Sequence, residues 1–275
     1  MGFFFELISF SFVNASMIVQ APMTPEEMYS FLEMKALQYN TTAFIDSDPI
    51  SVPHRFTRKE DIEISGFLTA TLAWGQRKSI IQKSLLLMKL LDEAPYDFIM
   101  NANGQELKSL ENFVYRTFNG ADCRYFILAL QHLYREQGGM ESAFSAAINE
   151  GAFAAISHFR SLFIRVGDPS RTGRHLANPL QGSAAKRLNM FLRWMVRKDD
   201  KGVDFGIWKG VSPALLICPL DVHSGRVARK LGLLTRNSND RKAAEELTSA
   251  LRSFDPTDPV KYDYALFGLG VFEQF

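Results

Sequence analysis

The sequence predicts an all-α protein. Apolar residues recur at helical spacing in almost every segment, and no segment alternates apolar and polar residues as a strand does. There is no internal repeat and no low-complexity tract. A chain of 275 residues, 47% hydrophobic and 22% charged, is large enough for a buried core in one large or two small domains. No linker-like stretch divides it, so residues 23–275 are expected to form a single helical unit.

Residues 1–22 read as an apolar extension. Met1-Gly-Phe-Phe-Phe-Glu-Leu-Ile-Ser-Phe lacks a basic leader region, Glu6 interrupts it, and the run is too short to span a bilayer as a helix. A mis-assigned start codon is the preferred explanation, because Met23-Thr24-Pro25-Glu26-Glu27 opens like a helix, with Thr24 as cap and Pro25 in the first turn. Met28, Phe31, Leu32 and Leu37 then set a helix over 24–39. Residues 40–56 read as a polar loop with Pro49 and Pro53. From Thr57 to Leu91 the pattern is helical, broken near Trp74-Gly75-Gln76 and restarting at Lys78. Further helical stretches cover about 106–118, 121–136, 140–149 and 151–166, and together residues 57–166 supply the helices of a lobe. A Gly-, Pro- and Arg-containing loop from Gly167 to Pro179 leads into a helix beginning near Gly182. Helices over about 221–234, 238–253 and 259–269 complete the chain.

Chemistry concentrates at Cys218-Pro219-Leu220-Asp221-Val222-His223-Ser224-Gly225-Arg226. Pro219 pushes Cys218 out of helical geometry, so a helix should begin near Asp221. An aspartate there accepts backbone N–H bonds, benefits from the positive end of the helix dipole and looks outward into the cleft bordered by the preceding loop. Val222, Val227 and Leu231 are assigned to a core. Arg226, Arg229 and Lys230 are assigned to solvent or to a phosphate.

The segment resembles the Pro-x-Asp-x-His-x-x-Arg block of the helix-hairpin-helix DNA glycosylase superfamily, which includes endonuclease III and the 8-oxoguanine DNA glycosylases. The resemblance implies a two-lobed all-α fold with a DNA-binding cleft, in which N- and C-terminal helices combine into one lobe. It makes Asp221 the catalytic carboxylate. Gly182-Ser-Ala-Ala-Lys186-Arg187-Leu-Asn-Met-Phe-Leu-Arg is similar to the hairpin wording of archaeal-type 8-oxoguanine glycosylases, and makes Lys186 the nucleophile that forms a Schiff base at the sugar. Two departures stand out: Ala184 replaces the second hairpin glycine, and 35 residues separate Lys186 from Asp221. The extra length, Arg197–Ser212, reads as a polar surface loop, which is thermodynamically cheap to insert. Lys209, nearer to Asp221 in sequence, is the competing nucleophile.

Phe67-Leu-Thr-Ala-Thr-Leu-Ala-Trp74-Gly75-Gln76-Arg77 resembles the superfamily helix that ends in a duplex-inserting glutamine. Gln76 then fills the gap left by a flipped base, with Arg77 beside it, and Trp74 either stacks on a base or belongs to the core. His175 and Asn178 read as base-edge readers or as members of a capped loop. Gly182, Arg187, His223 and Arg226 complete the DNA-facing set. Asp46–Phe56 is either a pocket-lining loop or Asx-turn chemistry. Asp263-Tyr-Ala-Leu-Phe-Gly-Leu-Gly270 resembles the closing helix of the superfamily and reads as structural. Nearly everything after Met23 also resembles a bacterial family that carries a placeholder name, through Ser47-Asp-Pro-Ile50, Met190-Phe-Leu-Arg-Trp-Met195 and Lys261–Gly270.

Composition narrows the alternatives. Residues 160–236 hold 15 Lys/Arg against 5 Asp/Glu, a local +10 within a chain of net +1. Such a basic third suits a polyanion, here damaged duplex DNA. Cys123 and Cys218 are too few for an iron–sulfur cluster, which needs about four thiolates, and they fit a reducing cytoplasm. His132 and His158 lie in amphipathic helices, no pair of histidines has metal-ligand spacing, and no phosphate-binding glycine loop is present. No metal, organic cofactor, membrane or obligate protein partner is expected. The expectation is a base-excision glycosylase, with oxidised purine the lesion guessed and abasic-site lyase activity through Lys186. A non-catalytic nucleic-acid-binding protein of the same fold is the alternative. A hydrolase of nucleoside-like substrates using Asp221 alone is a third reading.

Overall fold

A computed structural model describes residues 23–275, so the apolar extension and the start-codon question at 1–22 lie outside the described residues. Thirteen α-helices and one minimal hairpin are described. In chain order they are α1 Pro25–Tyr39, α2 Thr42–Ser47, α3 Lys59–Leu72, α4 Arg77–Leu90, α5 Pro95–Asn101 and α6 Gly104–Ser109. Next come β1 Val114–Tyr115 and β2 Phe118–Asn119, then α7 Gly120–Glu136, α8 Gly139–Ser145 and α9 Ala152–Phe163. The chain closes with α10 Lys186–Val196, α11 Val222–Lys230, α12 Arg241–Phe254 and α13 Tyr262–Val271.

Local chemistry explains the helix starts. Thr24 and Glu27 form the expected capping box, with Thr24 Oγ1 accepting from the Glu27 amide at 3.2 Å. Asn119 and Asp122 do the same for α7. The all-α expectation holds apart from β1 and β2, which pair antiparallel through Val114–Asn119 and Tyr115–Phe118. That hairpin replaces the end of the helix expected over 106–118. Leu110, Phe113 and Phe118 are buried there. The loop expected over 40–56 instead contains α2 and two 3₁₀ turns, Pro49–Ser51 and Pro53–Arg55, each opened by its proline. α5 was not legible as a separate element.

The core is one continuous cluster. α3 runs through its middle, almost wholly buried, and packs against α4, α5 and α10. Gly66 lets the Met195 side chain of α10 approach α3, since a Cβ at 66 would stand 3.1 Å from Met195 Cε. Phe67 contacts Phe126, Phe159, Phe163 and Phe191, which ties α7, α9 and α10 to α3. On the other side α1 and α11 both pack on α13, so the first and last helices share one face.

Two assignments are corrected. Arg197–Ser212 is not a surface loop. Its backbone is irregular, yet Val203 and Trp208 are buried, and Trp208 packs between Phe144 and Phe191 at 5.5 Å from each ring. Some of its polar groups point inward as partners, while Lys198, Asp200, Lys209 and Ser212 stay exposed: Trp208 Nε1 donates to Glu63 at 2.6 Å, and Asp204 joins Arg193 and Arg197, each at 3.2 Å. Val222 is not core either. It is 74% exposed: as the first residue of α11 it lies about 140° around the helix from Val227, which is buried, as is Leu231.

Candidate active site

A cavity of about 960 Å³ opens where α13 meets the start of α10, the start of α11, the α3–α4 turn and the loop after α2. Trp74, Gln76, Arg77, Lys186, Arg187, Asp221, His223 and Arg226 all line it. Eight of the eleven residues singled out from the sequence thus line one cavity.

Lys186 is the first residue of α10, presented by Ala185, whose φ of 47° is left-handed, a conformation costly for a residue with a Cβ. Asp221 is the N-cap of α11. Its Oδ1 accepts from the His223 amide at 2.8 Å and the Ser224 amide at 3.0 Å. Its Oδ2 faces Lys186 Nζ at 3.6 Å, and both side chains keep a little over a quarter of their surface accessible, 29% and 28%. Burial pushes the Asp221 carboxyl up, but the Lys186 ammonium and the two amides outweigh it and hold the group below the usual carboxylate range. One oxygen is therefore structural and the other is free to act.

The remaining cavity residues divide by what holds them. Gln76 is exposed at the N-cap of α4 and makes no capping bond. Trp74 is half-buried, its carbonyl accepting from Tyr115 Oη at 2.9 Å and its ring carrying the Arg116 guanidinium at 4.7 Å. The Arg77 guanidinium lies 5.3 and 5.4 Å over Phe267 and Phe272. Arg187 donates to the Thr71 carbonyl and, at 3.1 Å, to the His175 carbonyl, so it fastens α10 to the end of α3. Arg226 reaches the Gly270 carbonyl at 3.0 Å, and His223 packs on Gly270.

Three residues lie elsewhere. His175 is buried, 3.3 Å from Asp122 and edge-on to Phe118, and burial pushes its imidazole down against the pull of Asp122. Asn178 accepts from the Leu180 amide at 3.1 Å, and Gly182, at φ 84°, accepts from the Arg241 amide at 2.9 Å. These two border a separate polar cavity of about 630 Å³ with Arg160 and Arg174. Lys209 is exposed and does not line the Lys186 cavity. Arg229 is half-buried and occupied by the carbonyls of Arg236 and Ser238.

The structure adds cavity residues that sequence reasoning assigned otherwise. Asp48 does cap Ile50 at 3.0 Å as an Asx turn, but its buried carboxyl also lines the cavity. Asp263, read as structural, lines it too and pairs with the buried Arg193. Phe44, Met190 and Phe267 give the cavity an apolar side. The mixed composition of residues 46–56 was the one available signal for Asp48. Nothing in the one-dimensional pattern marks Asp263. Among the described residues no cluster of His, Cys, Asp or Glu has metal-holding geometry, and no helix is long and apolar enough to cross a membrane.

Fold and site together define a mostly helical protein with an amine–carboxylate pair in a cavity rich in cationic side chains. The chain belongs to the family described as protein of unknown function (DUF2400), whose model matches residues 48–272. No curated protein and no solved structure matches the chain. The matched span begins at Asp48 and includes Lys186, Asp221 and Asp263.

Proposed function

We propose that this protein is a cytosolic DNA glycosylase-like enzyme of helix-hairpin-helix type that flips a damaged base into the Lys186 cavity and cleaves its glycosidic bond. The observation that carries this reading is the approach of Lys186 Nζ to Asp221 Oδ2, 3.6 Å apart on the wall of a cavity large enough for a nucleotide. Lys186, once it has given up a proton, attacks the anomeric carbon, and the base departs with the bonding pair. Asp221, ionised and partly desolvated, stabilises the positive charge that develops on the sugar. The resulting Schiff base opens a route to strand scission.

Other features support the same reading. Gln76, exposed and uncapped at the cavity rim, suits a wedge into the duplex. Packing of α1 and α11 on α13, against the body of α3 to α9, is compatible with two lobes joined at α10. The basic stretch 160–236 suits a phosphate backbone. One observation favours a second reading, a nucleic-acid-binding protein without catalysis: a single 3₁₀ turn, Pro179–Gln181, stands where the hairpin's first helix should be.

Borohydride trapping on a duplex with an abasic site tests the proposal, wild type beside Lys186→Gln and Lys209→Gln. An adduct lost only in Lys186→Gln is expected. An adduct lost only in Lys209→Gln moves the nucleophile. DNA binding without any adduct selects the binding-only reading, and base release from free nucleosides selects a nucleoside-type hydrolase.

A further inference from the structure

The cavity contains an acid that the reaction above does not use. Asp263, on α13, is buried but keeps 10% of its side chain accessible at the cavity wall. Its Oδ2 pairs with Nη1 of Arg193, a guanidinium that is itself buried beneath the cavity and shared with the fully buried Asp204. Asp204 and Asp263 thus share one buried guanidinium, two acids on a single cation. Burial drives the Asp263 carboxyl up, Arg193 and Lys186 pull it down and Asp221 pushes it up again, which leaves it at about 6.

We propose that Asp263 is the proton donor of this site, delivering a proton to the atom that leaves the sugar carbon under attack by Lys186; this rests on the lysine–carboxylate reading above. With an abasic aldehyde the Nζ lone pair forms a bond to C1′, and the aldehyde oxygen takes up the proton released by Nζ to become a hydroxyl. The C1′–O bond then breaks, the oxygen departs as water with the Asp263 proton, and the C1′=Nζ iminium remains. Arg193 faces the carboxylate that this leaves behind. With an intact nucleotide the same proton goes to the departing base nitrogen. Asp221 cannot serve here, since it is held in the ionised form by Lys186 and by the amides of His223 and Ser224.

The charged groups around Asp263 are accounted for element by element. From α10 come Arg193 and Lys186, from the start of α11 Asp221, and from the segment before it Asp204 and the buried thiol of Cys218. Asp48, from the loop after α2, also lines the cavity and is drawn to the same Arg193 charge, and Arg226 reaches α13 at the Gly270 carbonyl. On α1, Glu33 is engaged by Tyr262 and Lys261, and Lys35 by Glu273, so neither is free for Asp263.

The test is the rate of reductive trapping on an abasic-site duplex as a function of pH, for wild type, Asp263→Asn and Asp263→Glu. The wild-type rate should fall as pH rises through about 6, where Asp263 loses its proton. Asp263→Asn should trap about 100-fold more slowly and lose that limb, and Asp263→Glu should keep the limb at a shifted pH. Asp263→Asn trapping at the wild-type rate with the wild-type profile overturns the proton-donor role and leaves Lys186 untouched. No wild-type adduct overturns the lysine reading and this one with it. Should Asp263→Asn fail to fold by thermal melting, the wild-type profile decides alone: absence of a limb near pH 6 overturns the proposal.

Discussion

Asp221 turns Oδ1 to the amides of His223 and Ser224 and Oδ2 to Lys186, so capping and charge can be separated by substitution. Asn is as good a cap as Asp, whereas Ala removes the cap. Asp221→Ala should therefore lose about 1 kcal/mol in urea denaturation, and Asp221→Asn much less at neutral pH. Both should slow adduct formation on an abasic-site duplex, because both remove the charge opposite Lys186. An Asn variant with full trapping activity would exclude Asp221 from the chemistry. The carboxyl is depressed in the folded state, so its contribution to stability is present above the usual carboxylate range and is lost as pH falls through the folded value. The stability difference between wild type and Asp221→Asn should accordingly shrink on acidification below about pH 4. A difference that grows instead would reverse the sign assigned to Lys186.

At the scale of elements, the irregular segment between α10 and α11 decides how the site is held. Trp208 fills the space beside Phe144 and Phe191 and satisfies the buried Glu63, while Asp204 bridges Arg193 and Arg197. Burial pushes the Glu63 carboxyl up, and the Tyr134 and Trp208 hydrogen bonds and Lys59 oppose it. Trp208→Ala should cost about 3–5 kcal/mol, as expected of a core tryptophan rather than of a surface loop. Urea denaturation checks this, and a loss within about 0.5 kcal/mol would return the segment to the surface. The same segment connects the end of α10, which begins with Lys186, to the start of α11, which Asp221 caps.

Across the whole molecule the charge is divided, +10 over residues 160–236 within a net of +1. Arg193 and Arg197 of that stretch are buried in ion pairs with Asp204, Asp258 and Asp263, so only its exposed lysines and arginines can meet a polyanion. The affinity of the proposed DNA partner should depend on salt. Neutralising about six phosphates lowers affinity about 1,000-fold between roughly 50 and 200 mM salt. Fluorescence anisotropy on a labelled duplex reads this directly. Binding that is insensitive to salt would take nucleic acid off the list of partners, and the Lys186 cavity would then need a neutral substrate.

Much of this was legible in one dimension. Amphipathic periodicity marked α1, α4, α7, α9 and α12 within a few residues, because a helix repeats its buried face every turn and writes that period into the chain. Local rules also placed Thr24 and Asp221 as caps, since a cap bonds within three residues of itself. The wording around Lys186 and Asp221 brought both to attention, but their meeting at 3.6 Å from positions 35 apart in sequence is a product of how α10 packs on α3 and α11 on α13. Burial of Arg197, Val203, Asp204 and Trp208, exposure of Val222, the second acid Asp263 and the turn-forming Asp48 at the cavity wall were decided by tertiary structure alone. Their neighbours in space are far away in sequence, and long-range packing leaves no period for a single chain to show.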